Sequence, residues 1–255
     1  MSLEKRFKGS GEGTTFLGHL EILRKKLLIF LFCFVIVSLG LFVLGERLLS
    51  FLTLPLAGTP INLIAIKPQE KVLAYIRAAF FSGFIITFPV ITGLLYSFLR
   101  PALKENEKAP FTLAFVFILI FFFSGVALAY YIILPFACTF FYNFSSGDGI
   151  VNSWSLGAYL DLAVSLILIL GGIFQLPLLL LFLLKAGLVE LKTLKRLRRQ
   201  VLLGIFIIAA VLTPPDIYTQ ITVGTLLYLL YEATILFGRF LILEKGKGEE
   251  GLKDG

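Results

Sequence analysis

Residues 213–220 read TPPDIYTQ, and apolar runs press on them from both sides, VLLGIFIIAAVL at 201–212 and ITVGTLLYLLY at 221–231. Paired prolines remove two amide donors and push the residue ahead of each out of the α region, so a helix stops here. An aspartate costs about 3 kcal/mol at a bilayer centre, which sends Asp216 to a surface. The stretch therefore reads as the polar tip of a hairpin of two short helices rather than as a break in one long span. Pro214 and Pro215 fix the turn. Asp216 and Gln220 stay in water or cap the following helix, and Glu232 lies in the second arm near the opposite surface.

The rest of the chain agrees with a membrane setting. Of its 255 residues 58% are hydrophobic and 15% charged, where a soluble domain carries about a quarter charged. Four unbroken apolar blocks, 27–45, 78–99, 111–134 (ending at Pro135) and 162–184, each hold close to the ~20 residues that cross a ~30 Å hydrocarbon layer. With hairpin arms at 201–213 and 221–237 they predict six transmembrane helices in a membrane domain over 14–240. The charged, glycine-rich ends, 1–13 and 241–255, are expected to be unstructured, and the N-terminus has no signal-peptide core. The fold class is an all-α integral membrane protein.

Charge orients it. Six lysines and arginines precede the first block, and the connections that follow hold four, three, none, six and none, with four in the tail. Alternate segments, starting with the N-terminus, thus collect nineteen of them and the other side four. Both ends are expected in the cytoplasm. The net charge of +7 flanks apolar blocks instead of forming its own stripe, which argues against nucleic acid. Cys33 and Cys138 fall toward opposite faces on this topology, so no disulfide between them is expected.

No Asp, Glu, Lys or Arg interrupts the four long blocks. The prominent polar exception is Gln175 in GGIFQLPLLL, two residues before the helix-kinking Pro177. Its amide either bonds a neighbouring helix or makes a functional contact, and residue type leaves both open. His19 is the sole histidine and has no acid or cysteine at ligand spacing, so neither metal nor cofactor is implied. A phosphate loop, a nucleophile elbow and a central acid pair are all missing, so the chain does not read as an enzyme. Trp154 fits an interfacial anchor. TTFLGHLEILRKKLL spaces Leu17, Leu20, Leu23 and Leu27 as an amphipathic helix with Glu21, Arg24 and Lys25 on its wet side. RPALKENEKAP carries Glu105 and Glu107, by composition a solvated turn.

Taken in order, these motifs carry a resemblance. HLxxLR stands at 19–24, Pro89 in the second span, and Phe98, RPAL and Glu107 at its end. Gly125 and Pro135 mark the third span, FxLP the fourth, and TPPD, Gln220 and LYE the hairpin. Over residues 16 to about 240 the chain resembles the TatC subunit of the twin-arginine protein translocase.

The resemblance implies a signal-peptide receptor in the bacterial cytoplasmic membrane, with a concave bundle and short fifth and sixth helices. Its partners would be twin-arginine signal peptides and single-span proteins of the TatA and TatB type, with self-association, export being driven by the proton-motive force. Signal-peptide binding falls on Glu107 first, then Glu105, Glu21, Arg24, His19 and Phe98. A guanidinium, always charged, prefers paired hydrogen bonds from carboxylates. Arg24 and His19 would shape the site. Gln175 and Pro177 would meet a partner helix. Two departures stand out: Ile22 occupies the usual glutamate of the HLxELR motif, and Gln175 replaces the usual glutamate of FExP. Leu94 also replaces a usual glutamine. The alternative is a small secondary transporter of a polar solute, against which stand the lack of a clear internal repeat and of acids near the midplane.

Overall fold

The structure, a computed structural model, describes residues 16–102, 105–145, 153–185, 187–212 and 217–250. The first helix, α1 (Phe16–Val43), runs without a break from the amphipathic segment into the first apolar block. No proline stands in it and its first glycine after Gly18 is Gly40, so nothing in its backbone chemistry stops propagation. A short helix α2 (Gly45–Thr53) and a 3₁₀ turn (Leu54–Leu56) follow, then strand β1 (Asn62–Ile64). Helix α3 (Glu70–Leu99) contains Pro89, and the Thr87 and Thr92 hydroxyls donate to the Gly83 and Phe88 carbonyls on either side of it, both at 2.7 Å.

The third apolar block differs from expectation. Helix α4 (Glu105–Leu128) passes through a π turn (Ala129–Ile133) into α5 (Leu134–Ser145), so Pro135 does not end the helix. Proline has no amide to give the carbonyl four residues back. The π turn shifts the bonding by one residue, as where the Leu134 amide reaches the Ala129 carbonyl, and the helix continues. Strand β2 (Ser153–Ser155) pairs in parallel with β1, Leu63 opposite Trp154. The fourth block is two helices, α6 (Leu156–Ile173) and α7 (Leu176–Lys185), broken at Phe174 and Gln175.

The hairpin arms are longer than their apolar parts. Helix α8 (Leu191–Leu212) begins inside the basic segment LKTLKRLRRQ, and its 22 residues cover about 33 Å. Its arginines and lysines are good helix formers, so the helix starts ten residues before the apolar arm. Helix α9 (Ile217–Glu250) likewise runs past the expected boundary at 240. Residues 1–13, expected to be unstructured, and the turn residues Pro214, Pro215 and Asp216 lie outside the described residues.

Helix α6 is the axis of the packing. Its Tyr159, Leu160, Ala163, Leu166 and Leu170 are buried against Ile133, Leu134 and Cys138 of the π turn and α5. Gly125 lets α4 approach α6 closely: a Cβ there would stand 2.7 Å from the Leu170 carbonyl oxygen. Outward, α1 leaves Phe32 and Leu39 exposed, as a bilayer-facing helix should. Among the described residues four helical stretches contain an apolar run long enough to cross a membrane, Glu21–Val43, Glu70–Leu99, Phe111–Phe144 and Leu156–Leu184, while Gln220–Leu236 is a shorter apolar helix.

At the end of the bundle formed by the loops after the first and third blocks, Glu70 ties the connections together. Its carboxylate accepts the Ile66 and Lys67 amides at 2.6 and 3.2 Å, the Gly157 amide at 2.7 Å, and the Ser155 hydroxyl. Glu70 stands two turns ahead of the apolar stretch that begins at Ala78. The Ser155 hydroxyl first, then the Gly157 amide, hold its carboxyl down to about 2 from the ordinary 4.5; burial pushes the other way, and the Lys67 and Ile66 amides add to the lowering.

Candidate functional site

At the opposite end of the bundle, the polar start of α1 is fastened to the end of α3. Lys26 donates from Nζ to the Ser97 hydroxyl at 2.5 Å and the Leu94 carbonyl at 3.4 Å, and stands 5.9 Å over the Phe98 ring. An ammonium has three donors and is drawn to an aromatic face, so one side chain makes all three contacts. In the sequence Lys26 registers only as a topology charge. Its position one helical turn beyond Ile22 and opposite an aromatic-rich span end was the available signal.

The same end of α3 is closed onto α4. The Tyr96 hydroxyl and Thr112 Oγ1 share a hydrogen bond at 2.7 Å, and the Tyr96 ring stacks on Phe111 at 5.4 Å. Arg100 stands 5.9 Å over Tyr96. These contacts fix α4 against the end of α3 at Phe111 and Thr112, about two turns after the helix start that carries Glu105 and Glu107.

Of the residues singled out in the sequence, Glu21 is exposed and pairs with Lys25 at 3.3 Å, one turn along the helix. Arg24 is exposed too, and Phe98 half-buried. The side chains of His19, Glu105 and Glu107 lie outside the described residues. Gln175 is half-buried and donates from Nε2 to the Ile118 carbonyl of α4 at 3.1 Å, and Pro177 is buried at the start of α7. The amide thus ties the break between α6 and α7 to α4. Both sites the sequence proposed involve α4: Glu105 and Glu107 stand in its first turn, and Gln175 bonds it at Ile118, about three turns beyond Glu107.

The hairpin is laced by polar side chains. Gln220 on α9 reaches the Phe206 carbonyl on α8 at 3.4 Å. Glu232 accepts Arg198 of α8 at 2.8 Å and the Tyr228 hydroxyl at 2.9 Å, and the Tyr231 hydroxyl donates to the Leu194 carbonyl at 2.7 Å. Among the described residues no group of His, Cys, Asp and Glu could hold a metal ion.

Long apolar helices, a polar break between α6 and α7 and a polar end built from α1, α3 and α4 define a multi-pass membrane protein. The model for TatC, the Sec-independent protein translocase protein, matches residues 18–225. A TatC from Desulforapulum autotrophicum is 36% identical over 247 residues, covering 94% of this chain and 89% of the relative. One from Magnetococcus marinus is 33% identical over 235 residues, 91% of this chain and 86% of the relative. A crystal structure of the twin arginine translocase receptor TatC in DDM superposes with a TM-score of 0.73 at 30% identity, covering 86% of this chain and 99% of that one.

The chain belongs to the TatC family of Sec-independent protein translocase proteins. It is a translocase subunit, not an enzyme, and a multi-pass protein of the bacterial inner membrane that works with other components of the Tat system. The transporter alternative finds no support among these relatives.

Proposed function

We propose that this subunit receives twin-arginine signal peptides on the cytoplasmic face, with Glu107 as the first contact for the arginine pair. Glu105 and Glu21 add negative charge nearby, Arg24 and His19 shape the start of α1, and Phe98 supplies an apolar floor. The observation that carries the reading is the Lys26 tie, which brings the first turns of α1 and the segment leading to Glu105 and Glu107 to one corner. A guanidinium pair needs fixed carboxylates, and a corner joined by three contacts costs less to order on binding than two free segments.

Six spans with both ends inside follow from the charge asymmetry, the hairpin arms counting as spans five and six. Gln175 and Pro177 form a polar break where a single-span partner of the TatA or TatB type docks, and copies of the chain self-associate in the translocase. Pro214, Pro215 and Asp216 form the turn of the hairpin in this reading, and its arms, laced by Gln220 and Glu232, pack beside α7.

Photo-crosslinkers at positions 107, 21 and 175 test the reading with a twin-arginine peptide and its twin-lysine variant. Strong labelling at 107 that drops with lysine is expected, because an ammonium cannot reproduce the planar fork. Equal labelling by both peptides at 107, or labelling confined to 175, would remove Glu107 from the site.

A further inference from the structure

Helices α8 and α9 leave between them a cleft of about 310 Å³, lined by Lys195, Arg198, Glu232, Ile235, Leu236 and Arg239. Its charge is unbalanced. Glu232 is already committed to Arg198 and to the Tyr228 hydroxyl. Among the described residues, Lys195 and Arg239 have no carboxylate partner. Two cations therefore face the cleft without compensation.

The cleft also has an apolar wall. Ile235 is buried at its base, and Leu236 is 54% exposed beside it. Arg198 stands three residues before the apolar arm begins at Val201. The cations thus lie at the level where a membrane's phosphates end and its acyl chains begin. Arginine binds phosphate oxygens through a planar fork and lysine as a point charge. The volume reaches the lower end of what small-ligand sites offer.

We propose that this cleft binds the phosphate diester of an anionic phospholipid, with Lys195 and Arg239 on the headgroup and an acyl chain along Leu236. The site is separate from the corner at α1, α3 and α4, and its sign excludes an arginine pair. Free phosphate shares the charge chemistry, but it gains nothing from Leu236 and Ile235.

Native mass spectrometry of the full chain in detergent, titrated with phosphatidylglycerol, phosphatidylcholine or inorganic phosphate, tests the proposal. One tight phosphatidylglycerol adduct is expected, with phosphatidylcholine binding markedly weaker. K195Q/R239Q should weaken the adduct by about twenty-five-fold, since each cation near an anionic headgroup contributes about fivefold. K192Q/R196Q, which removes two charges from the same helix but outside the cleft lining, should leave it within about twofold. The charge-keeping pair K195R/R239K should retain binding, which separates lost charge from lost fold. Equal losses in the two glutamine pairs, loss in K195R/R239K, or equal binding of the two lipids would overturn the proposal. Displacement of the lipid by millimolar inorganic phosphate would overturn the lipid assignment and make free phosphate the ligand.

Discussion

The Glu70 carboxylate accepts the Gly157 amide at 2.7 Å, joining residues 87 apart in the chain. The contact lies where the loop after α2 meets the start of α6, and the same carboxylate takes the Ser155 hydroxyl and two amides of its own loop. Four donors on one carboxylate hold the β1–β2 pair and the N-termini of two membrane helices in register.

Its titration sets a pH dependence. Because the folded carboxyl titrates near 2 rather than 4.5, its stabilisation is complete above about 4.5 and fades as pH falls through about 2. Glu70→Gln should melt below the wild type at pH 7, and the gap should close as pH falls across that window. Melting curves of the two proteins in detergent check this; a gap that stays constant down to pH 2 would show that the charge is not what matters.

Close approach of α4 and α6 at Gly125 leaves no room for a side chain, since the nearest neighbour is the Leu170 backbone oxygen and not a movable tip. Gly125→Ala should destabilise the protein by about 1–3 kcal/mol. Gly40→Ala, with nothing within 4 Å of the new methyl, should be neutral or slightly stabilising. Denaturation of the two variants side by side decides it, and equal stability would mean that α4 and α6 can slide apart.

The buried Tyr159 hydroxyl donates to the Leu52 carbonyl at 2.6 Å, pinning α2 to α6. Tyr159→Phe should cost about 1–2 kcal/mol by losing that bond and leaving a buried acceptor underused. The exposed Tyr131→Phe serves as the control, and a thermal unfolding series reads both.

At the break of α6 and α7, Gln175→Leu should cost about 1 kcal/mol through loss of the bond to Ile118. Gln175→Glu replaces the donating nitrogen by an acceptor facing the Ile118 carbonyl, so it should be no better than leucine in stability. Export assays on both variants then separate a structural amide from a docking one. If leucine preserves stability while abolishing export, the contact with a partner helix is favoured.

Lys26→Met keeps the stem of the side chain but removes its three polar contacts. Binding of a twin-arginine peptide should weaken several-fold with melting nearly unchanged, since exposed polar contacts of this kind contribute about 1 kcal/mol or less. Titration with a fluorescent peptide measures it, and undiminished affinity would detach the Lys26 tie from recognition.

Much of the architecture is legible in the sequence. Apolar block length identifies a membrane helix because hydrocarbon thickness is nearly constant, and the lysine and arginine asymmetry orients it. In the sequence Pro135 looks like a stop, but whether proline ends a helix depends on whether a π turn is available to absorb it. The basic run 191–200 looks like a connection because of its charge, although its residues are good helix formers and the helix continues through them.

The candidate site was legible in its acids and not in its framework. Glu21, Glu105 and Glu107 are visible as carboxylates in basic surroundings, whereas Lys26 and Tyr96 gain meaning only from what stands opposite them. Gln175 shows the same division: its type called for a partner, and Ile118 supplied one from 57 residues away.

Composition and periodicity are local properties that the bilayer reads directly, so the sequence alone determined an all-α membrane protein and its apolar segments. Which polar groups meet depends on how helices pack across long stretches of chain. Only the tertiary structure could therefore decide that Glu70 gathers two loops, that Lys26 fastens α1 to the end of α3, and that Lys195 and Arg239 share a cleft.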